Sequence, residues 1–380
     1  MADNNMLEKC LQYARNITED TVEFYTYSPE DTIIITIIIP IILCLGVINN
    51  SAFLFVMFRV PTMRSATNIY LMHLALADLL YLVVNSNVFF ILKFVASRST
   101  YKEIFKSHAG CFIFETLKNT GYFASIALIT TVSLERYLAV CHPIKHLKVR
   151  GRRRTNTMVT ICWVVGLIFA FSTTLGTSTY NLKYCVRWPE DSKYQGFPTQ
   201  LSYCGSVDLY TPLYTLPVAM VPWFIAMISS VFMYVRIIYA LNKRRSATFM
   251  KGKQHTAQQS RNKVAQVLIV NGVVFFICQT PAILVTLFNA YQLYQQHNEF
   301  LTHFLTVDRS WFANLPLLIN TVVNPLIYGT IHAQYRSAFI QAFRCNSGPS
   351  RPQLIPAVSP HVMRRARNLN EGDTKNVTML

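Results

Sequence analysis

The chain of 380 residues is 52% hydrophobic and only 14% charged, with a mean hydropathy of +0.29. That composition is too apolar and too sparsely charged for an ordinary soluble domain, so it indicates a membrane protein. The net charge of +17 would also suit a nucleic-acid-binding protein, and only the positions of the charges can separate the two classes.

Seven apolar runs are long enough to cross a bilayer as helices, since a hydrocarbon core requires about 20 mostly apolar residues. The residues before them, 1–31, are polar and acidic and lack the basic and apolar regions of a cleavable signal peptide, so the first run is expected to act as its own insertion signal. An odd number of spans puts the two termini on opposite sides. The predicted spans are 32–58, 67–94, 111–140, 158–179, 209–234, 264–290 and 304–328.

Charges in the connections predict the orientation of these spans. Residues 1–31 carry seven acids and two cations, whereas the stretch from Lys145 to Arg154 and the stretch from Lys243 to Lys263 contain cations and no acid. Cations favour the cytoplasmic side, so the N-terminus is expected outside and the C-terminus inside. The positive charge is then mostly a topology signal, and nucleic acid is not an expected partner.

The chain is therefore predicted to be an all-α membrane protein, a seven-transmembrane helix bundle with a short amphipathic eighth helix. After the last span, the sequence "HAQYRSAFIQAFRC" has aromatic residues on one helical face and cations opposite, and it ends in Cys345, which is available for palmitoylation. The predicted parts are an extracellular tail 1–31, a membrane domain 32–330, an amphipathic helix 331–345 and a disordered cytoplasmic tail 346–380.

Four of the nine cysteines fall on the predicted outer side, where disulfides persist. They are Cys10, Cys111, Cys185 and Cys204, and four cysteines allow three pairings. Asn16 begins an Asn-Ile-Thr glycosylation signal on the same side. The similar signal at Asn376 is expected to stay unmodified because it lies inside.

Polar residues at membrane depth are costly and are functional candidates by default. Asp78 lies in the middle of the second span, and several oxygen ligands converging on it would allow it to hold a small cation such as sodium. A hydrogen-bond network without an ion is the alternative. The proposed ligands are Asp78, Ser125, Asn320 and Asn324, with Asn50 as a further neighbour.

Five motifs, in order along the chain, resemble the rhodopsin-like (class A) G-protein-coupled receptors, most closely those for neuropeptides. They are "LALAD", "SLERYLAVCHP", Trp163, "FFICQTP" and "NTVVNPLIY". The resemblance covers nearly the whole chain. It implies a plasma-membrane receptor that an extracellular peptide activates, with a heterotrimeric G protein and arrestin as inner partners. It also implies a disulfide between Cys111 and Cys204, which leaves Cys10 and Cys185 as a second candidate pair.

The resemblance further implies an activation mechanism. Glu135 would hold Arg136 in the inactive state, and Arg136 would contact the G protein once freed, with Ile144 as an apolar contact for the same partner. Gln279 stands where the family usually has tryptophan, and Tyr234 lies one turn beyond the usual tyrosine, either through an inserted turn or because it belongs to the cytoplasmic interface. The other implied residues are Tyr137, the trio Ile126, Pro222 and Phe275, the hinge Pro281, and Tyr328.

Lys118, two turns below Cys111, is the main ligand-binding candidate because its ammonium favours a carboxylate or a peptide carbonyl. The alternative is that Glu115, three residues earlier, neutralises it. A receptor for a small acidic or lipid ligand is the second functional hypothesis. The other pocket candidates are Tyr122, Gln279, Asn289, Asp308, Trp311 and Asn314, with Asn87 and Arg309 beside them.

Other function classes are not favoured by the sequence. The seventh span has no lysine at its middle, where Leu317, Leu318 and Ile319 stand, so retinal has no attachment point. No GxSxG, HExxH or phosphate-binding GxxxxGK[ST] motif is present, and the spans lack the repeats or multiple charges of a transporter. The sequence thus predicts a receptor rather than an enzyme, with no cofactor and no metal other than sodium.

Overall fold

The structure is a computed structural model. It describes residues 14–84, 91–92, 94–95, 99–100, 107–149, 151–207, 211–249, 256–295, 308–331 and 333–344. Residues 1–342 form one compact unit and residues 343–380 a second, of which only 343 and 344 are described. Cys10, Asn87, Cys345 and the predicted disordered tail 346–380 lie outside the described residues.

Seven long helices account for most of the described chain, and we call them the first to seventh spans. Two short helices flank them: Pro143–Val149 joins the third and fourth spans, and Ala333–Phe343 follows the seventh. The spans are Pro29–Arg59, Ala66–Val84, His108–Cys141, Arg152–Thr174, Thr211–Phe249, Thr256–Gln295 and Asp308–Ile331.

Six of the seven helices are long and apolar enough to cross a membrane by length and composition. The exception among the described helices is the seventh span, whose three asparagines and two internal prolines lower its mean hydropathy. Two of the three asparagines, Asn320 and Asn324, face the interior, since both are buried. The seventh helix therefore presents polar side chains to the neighbouring spans.

The first span begins at Pro29, three residues before the predicted boundary, because Ser28 caps it. The Ser28 hydroxyl accepts from the Asp31 amide (3.1 Å) and the Asp31 carboxylate accepts from the Ser28 amide (3.0 Å). This reciprocal pair satisfies two amides that a helix start leaves free. The helix then passes through a π-helical segment, Ile34–Ile38.

The fourth span ends at Thr174, whereas the sequence prediction carried it to residue 179. Gly176 takes a φ of 81°, a left-handed conformation that glycine adopts easily, and the chain leaves the helix there. The prediction was wrong at this boundary because the uncharged residues that follow Thr174 belong to a turn and to the start of a strand, Thr179–Arg187.

A small three-stranded sheet lies at the end of the bundle that holds the disulfide, which we call the disulfide end; the sequence did not predict it. Its strands are β1 (Arg15–Asn16), β2 (Thr179–Arg187) and β3 (Gln200–Gly205), in the order β1-β2-β3. β1 is parallel to β2, and β2 is antiparallel to β3. No strand was predicted in the tail, but Arg15 and Asn16 pair with this hairpin. We call β1–β3 and residues 17–27 the cap.

The cap has its own apolar core. Ile17 and Tyr25 from the tail are buried together with Val186 and Leu201 from the hairpin. Trp188 packs beside them and donates its indole N–H to the Pro198 carbonyl (2.9 Å). The tail and the loop between the fourth and fifth spans thus form one folded unit.

The spans pack closely where glycines remove side chains. An added Cβ at Gly166 would lie 2.9 Å from the backbone nitrogen of Ala124, so the third and fourth spans touch nearly backbone to backbone. By contrast, an added Cβ at Gly329, near the end of the seventh span, would meet no atom within 4 Å.

Alanine at these two glycines is expected to change stability in opposite directions. Gly329→Ala should stabilise by about 0.5–1 kcal/mol, because alanine is the better helix former. Gly166→Ala gains the same propensity but overpacks the helix contact, which costs about 1–3 kcal/mol. The apparent Tm of the purified protein should therefore rise for Gly329→Ala and fall for Gly166→Ala; equal shifts would contradict the close approach.

Candidate functional site

Glu135, near the end of the third span opposite the cap, is a buried carboxylate with two partners from other elements. Its Oε1 is 2.8 Å from His146 Nε2, and its Oε2 accepts from Arg154 Nη1 at 3.2 Å. His146 belongs to the helix Pro143–Val149 and Arg154 to the first turn of the fourth span. Glu135 therefore ties three helices together, a role that sequence reasoning did not give it.

Arg136 and its neighbours form the surface of this end, which we call the Arg136 end. Arg136 is partly exposed, and the Tyr137 hydroxyl lies 3.1 Å from His142 Nε2. Ile144 is 72% exposed and Leu147 66% exposed on the adjoining short helix. An arginine next to exposed apolar side chains is a surface that can receive a protein partner.

Tyr234 of the fifth span links the third and sixth spans just inside this surface. It is buried, and its hydroxyl lies 2.7 Å from the Ser133 hydroxyl, while a Cβ at Gly272 would collide with it. The fifth span is one continuous α-helix. The geometry places Tyr234 at the Arg136 end, but a whole inserted turn would leave the helix equally continuous, so both explanations stay open.

Asp78 sits in the interior with oxygen and amide groups around it. Its Oδ1 accepts from Ser125 Oγ (3.2 Å) and its Oδ2 from Asn324 Nδ2 (2.7 Å). Asn50 donates instead to the carbonyls of Gly46 and Thr321, both at 2.9 Å. The structure thus brings together three of the four proposed cation ligands.

The fourth, Asn320, is buried one turn before Asn324, and its Oδ1 has no hydrogen-bond partner in the described part of the chain. Nor does any cationic side chain among the described residues pair with Asp78. A buried carboxylate with an unused amide oxygen nearby suits a hard cation that prefers oxygen ligands. The ion-free network also agrees with these bonds, so both interpretations stay open.

Lys118 forms an ion pair with Glu115 on the same face of the third span, as the alternative interpretation expected. The side chains keep 24% and 28% of their exposure, so both reach an open space. Above them, a disulfide joins Cys111 to Cys204 of β3, with the Cα atoms 5.7 Å apart, which confirms the predicted pairing. Cys185 is also disulfide-bonded.

Comparison with known proteins shows to which family the chain belongs. The model of the family described as "7 transmembrane receptor (rhodopsin family)" matches residues 49–328, nearly three-quarters of the chain. The chain belongs to this family.

Curated relatives match most of the receptor. Neuromedin-U receptor 2 of Mus musculus is 27% identical over 336 residues, covering 86% of this chain and 79% of the relative. The thyrotropin-releasing hormone receptor of Homo sapiens is 25% identical over 351 residues, covering 83% and 80%. Neuromedin-U receptor 2 of Homo sapiens is 27% identical over 369 residues, covering 92% of this chain and 83% of the relative. The protein is accordingly a multi-pass membrane receptor and not an enzyme.

The implied activation trio lies in the interior of the receptor. Ile126 and Phe275 are buried in the main core, and Pro222 lies within the fifth span, directly before the core residue Trp223. Sequence reasoning missed Trp223, which is buried and packs edge-on against Phe276 with 6.1 Å between ring centroids. Its position directly after a helix proline in an apolar span was the available signal.

Gln279 of the receptor is buried, and its Oε1 has no hydrogen-bond partner among the described residues. In the same core, the indole nitrogen of Trp223 is also buried without a partner in the described part. A polar side chain thus stands where the resemblance expected a tryptophan. The large aromatic ring packed near this level comes from the fifth span instead.

The remaining pocket candidates lie in different surroundings. Tyr122 is partly buried and packs beside Tyr81, with 6.3 Å between ring centroids. Trp311 donates its indole N–H to Asp31 (2.5 Å) and packs with Ile35, which puts it between the first and seventh spans. Asn314 is partly buried; the side chains of Asn289 and Asp308 lie outside the described part.

Proposed function

We propose that the receptor is activated by an extracellular peptide and signals through a heterotrimeric G protein at the plasma membrane. The observation that carries the proposal is its similarity, along about four-fifths of its length or more, to receptors named for neuromedin-U and thyrotropin-releasing hormone. The disulfide end would face outward and the Arg136 end the cytoplasm, in keeping with the cations that flank Arg136.

The geometry of the disulfide end supports a peptide ligand. The cap extends the receptor beyond the helices, and the Cys111–Cys204 disulfide ties its hairpin to the third span. Glu19 of the tail is within 3.1 Å of Lys193 and 2.8 Å of the Tyr194 hydroxyl, and hydrogen bonds to Tyr194 and Glu19 raise the pKa of the Lys193 ammonium. A folded surface of this kind offers an extended ligand more contacts than a deep pocket alone.

The Lys118–Glu115 pair argues against the second hypothesis, a small acidic or lipid ligand. The carboxylate of such a ligand would have to displace Glu115 from the Lys118 ammonium or share the ammonium with it. A peptide carbonyl has no charge to be repelled by Glu115, and an ammonium with three donors can serve both groups. The ion pair therefore favours a peptide over an acid.

At the Arg136 end, the proposal gives Arg136 and Ile144 the contacts with the G protein. Support comes from the partial exposure of Arg136 and the 72% exposure of Ile144. Arrestin is proposed as a second partner of the same end. The Asn16 sugar is likewise a proposal, supported by the exposure of Asn16 on β1.

A ligand screen tests the proposed function. Cells expressing the receptor should respond in calcium or cyclic AMP assays to a member of a neuropeptide library that includes neuromedin-U and thyrotropin-releasing hormone. Fatty acids and short organic acids form the comparison set, and untransfected cells are the control. Responses to the acids, together with no response to any peptide, would favour the second hypothesis.

The cation proposal predicts a sodium effect on agonist binding. If Asp78 holds sodium in the inactive state, sodium should lower agonist affinity relative to an equal concentration of a bulky organic cation, because a ligand of one state depopulates the other. Asp78→Asn should abolish that difference. Asp31→Asn, the same change at a buried carboxylate outside the site, should preserve it. Undiminished sodium sensitivity in Asp78→Asn would support the ion-free network instead.

A further inference from the structure

Near the Arg136 end, a glycine of the sixth span and a tyrosine of the fifth fit into one another. Gly272 lies in an apolar part of its helix, where glycine is a poor helix former. A Cβ built at Gly272 would collide with the Tyr234 hydroxyl oxygen and would lie 2.7 Å from the ring carbon that bears it. The Tyr234 hydroxyl therefore occupies the volume of a missing side chain, and a larger residue at 272 would displace it.

A hydrogen bond to the third span holds the Tyr234 hydroxyl in this position. Ser133 donates its own hydroxyl proton to the Ile129 carbonyl (2.9 Å), so in the 2.7 Å bond between the two hydroxyls Tyr234 is the donor and Ser133 the acceptor. Both side chains are buried. Tyr234 thus contacts the third span through its proton and the sixth span through its shape.

The three spans form a small apolar cluster around this contact, distinct from the main core. Its members are Val140 of the third span, Tyr234, Ile237 and Leu241 of the fifth, and Ala265 of the sixth, with Ile269 packed against them. Farther along the sixth span, Pro281 lies inside the helix, and an internal proline removes a backbone hydrogen bond and allows a bend. The part of the sixth span before Pro281 can therefore pivot, and the cluster opposes that movement.

The residue next to the glycine acts in the opposite direction. Asn271 is completely buried, and neither its amide nitrogen nor its amide oxygen has a hydrogen-bond partner in the described part of the chain. A buried amide without partners costs free energy, so it destabilises the arrangement that buries it. Movement of the sixth span would give this amide access to water or to new partners. Two adjacent residues therefore have opposite effects on the same packing.

We propose that Tyr234 and Gly272 form a lock that sets the basal activity of the receptor. The lock holds the sixth span against the third and fifth in the absence of agonist, and the unpaired amide of Asn271 keeps it weak enough to open. This role rests on the proposed function, because basal activity here means nucleotide exchange on a G protein without agonist. It requires no contact between these three residues and either the agonist or the G protein.

Basal exchange by receptor in nanodiscs, with no ligand added, tests the lock. Gly272→Ala should raise basal exchange about fivefold or more, because overpacking destabilises only the packed arrangement. Tyr234→Phe removes the bond to Ser133 and should raise it about twofold to fivefold. Asn271→Leu replaces the unpaired amide with an apolar group of similar size, so adding it to Gly272→Ala should lower the raised exchange again.

Two further variants separate the lock from a general loss of packing. Gly166→Ala adds the same methyl group at another close helix contact, between the third and fourth spans, and should lower the apparent Tm without raising basal exchange. Tyr234→Ala should raise basal exchange by itself. Adding Gly272→Ala to it should then change exchange by less than about twofold, because the methyl group enters the space that the ring has left.

A distance measurement on the receptor alone separates the lock from the proposed G-protein function. Spin labels at Arg153→Cys and Gln266→Cys, both at exposed positions, report the separation of the fourth and sixth spans by double electron–electron resonance. The accessible native cysteines are first replaced by serine. Gly272→Ala should populate longer distances. Longer distances without exchange on a panel of G proteins would support the lock and contradict the proposed function.

The lock is overturned if Gly272→Ala folds and leaves both the distances and basal exchange unchanged, or if Gly166→Ala raises exchange as much. Should Gly272→Ala fail to fold in a thermal unfolding scan, the milder Tyr234→Phe decides alone. Lower basal exchange in Tyr234→Phe, with shorter distances, would show that the tyrosine stabilises the open arrangement instead.

Discussion

Replacing Arg136 by alanine is expected to abolish agonist-stimulated nucleotide exchange on the G protein while agonist binding and surface expression stay close to wild type. Arg136 is partly exposed at the end of the third span, so its loss removes a contact surface and not a core residue. Glu135 keeps its bonds to His146 and Arg154 in this variant, so the local fold should persist. The measurement is guanine-nucleotide exchange by purified G protein with receptor in nanodiscs.

Arg154→Ala is the matched control, because it removes a second arginine of the same end, one that contacts Glu135. Arg154 binds the carboxylate directly, and its loss leaves a buried charge with one partner fewer, which costs about 1–3 kcal/mol. That variant should be less stable but should still catalyse exchange. Normal exchange by Arg136→Ala, or an equal loss in both variants, would remove Arg136 from the coupling surface.

The second large effect is expected at the Lys118–Glu115 pair. A partly desolvated ammonium that meets a ligand carbonyl should contribute about 1.5–3 kcal/mol, so Lys118→Ala should weaken the agonist about tenfold to a hundredfold. Glu115→Ala frees the ammonium from its partner and should strengthen binding slightly. Radioligand binding normalised to surface level measures both effects.

A charge swap decides whether Lys118 contacts the ligand or only Glu115. Glu115→Lys combined with Lys118→Glu keeps an ion pair on the same helix face but moves the cation one turn toward the cap. If Lys118 contacts the ligand, the single variants and the swap should all be expressed near the wild-type level, and the swap should bind agonist as weakly as Lys118→Ala does. If the pair is only structural, the single variants should lose surface expression, and the swap should recover it with affinity unchanged throughout.

The membrane architecture was predictable because it depends on composition over long windows. The third span, predicted as 111–140, runs from His108 to Cys141, and its boundary error is three residues or fewer. The ion pair between Lys118 and Glu115 was also predictable from the sequence, since residues three apart share a helix face. Local spacing and hydropathy are properties that a sequence displays directly.

Contacts between distant segments were not predictable in this way. Arg15 pairs with Val186 across the cap, and no local pattern marks two tail residues as a strand. The bonds of Glu135 to His146 and Arg154 were not predicted, because they depend on how the loop after the third span reverses direction. Chain reversals and strand pairing place residues by tertiary geometry, which a single sequence does not reveal.

The four tryptophans of the chain each occupy a different interface. Trp163 lies between the second and fourth spans and Trp188 in the cap. Trp223 packs against the sixth span, and Trp311 joins the first and seventh. Four variants that each retain one indole would therefore make intrinsic fluorescence a separate optical reporter for each interface, with no attached dye, and would show the order in which these regions respond to an agonist.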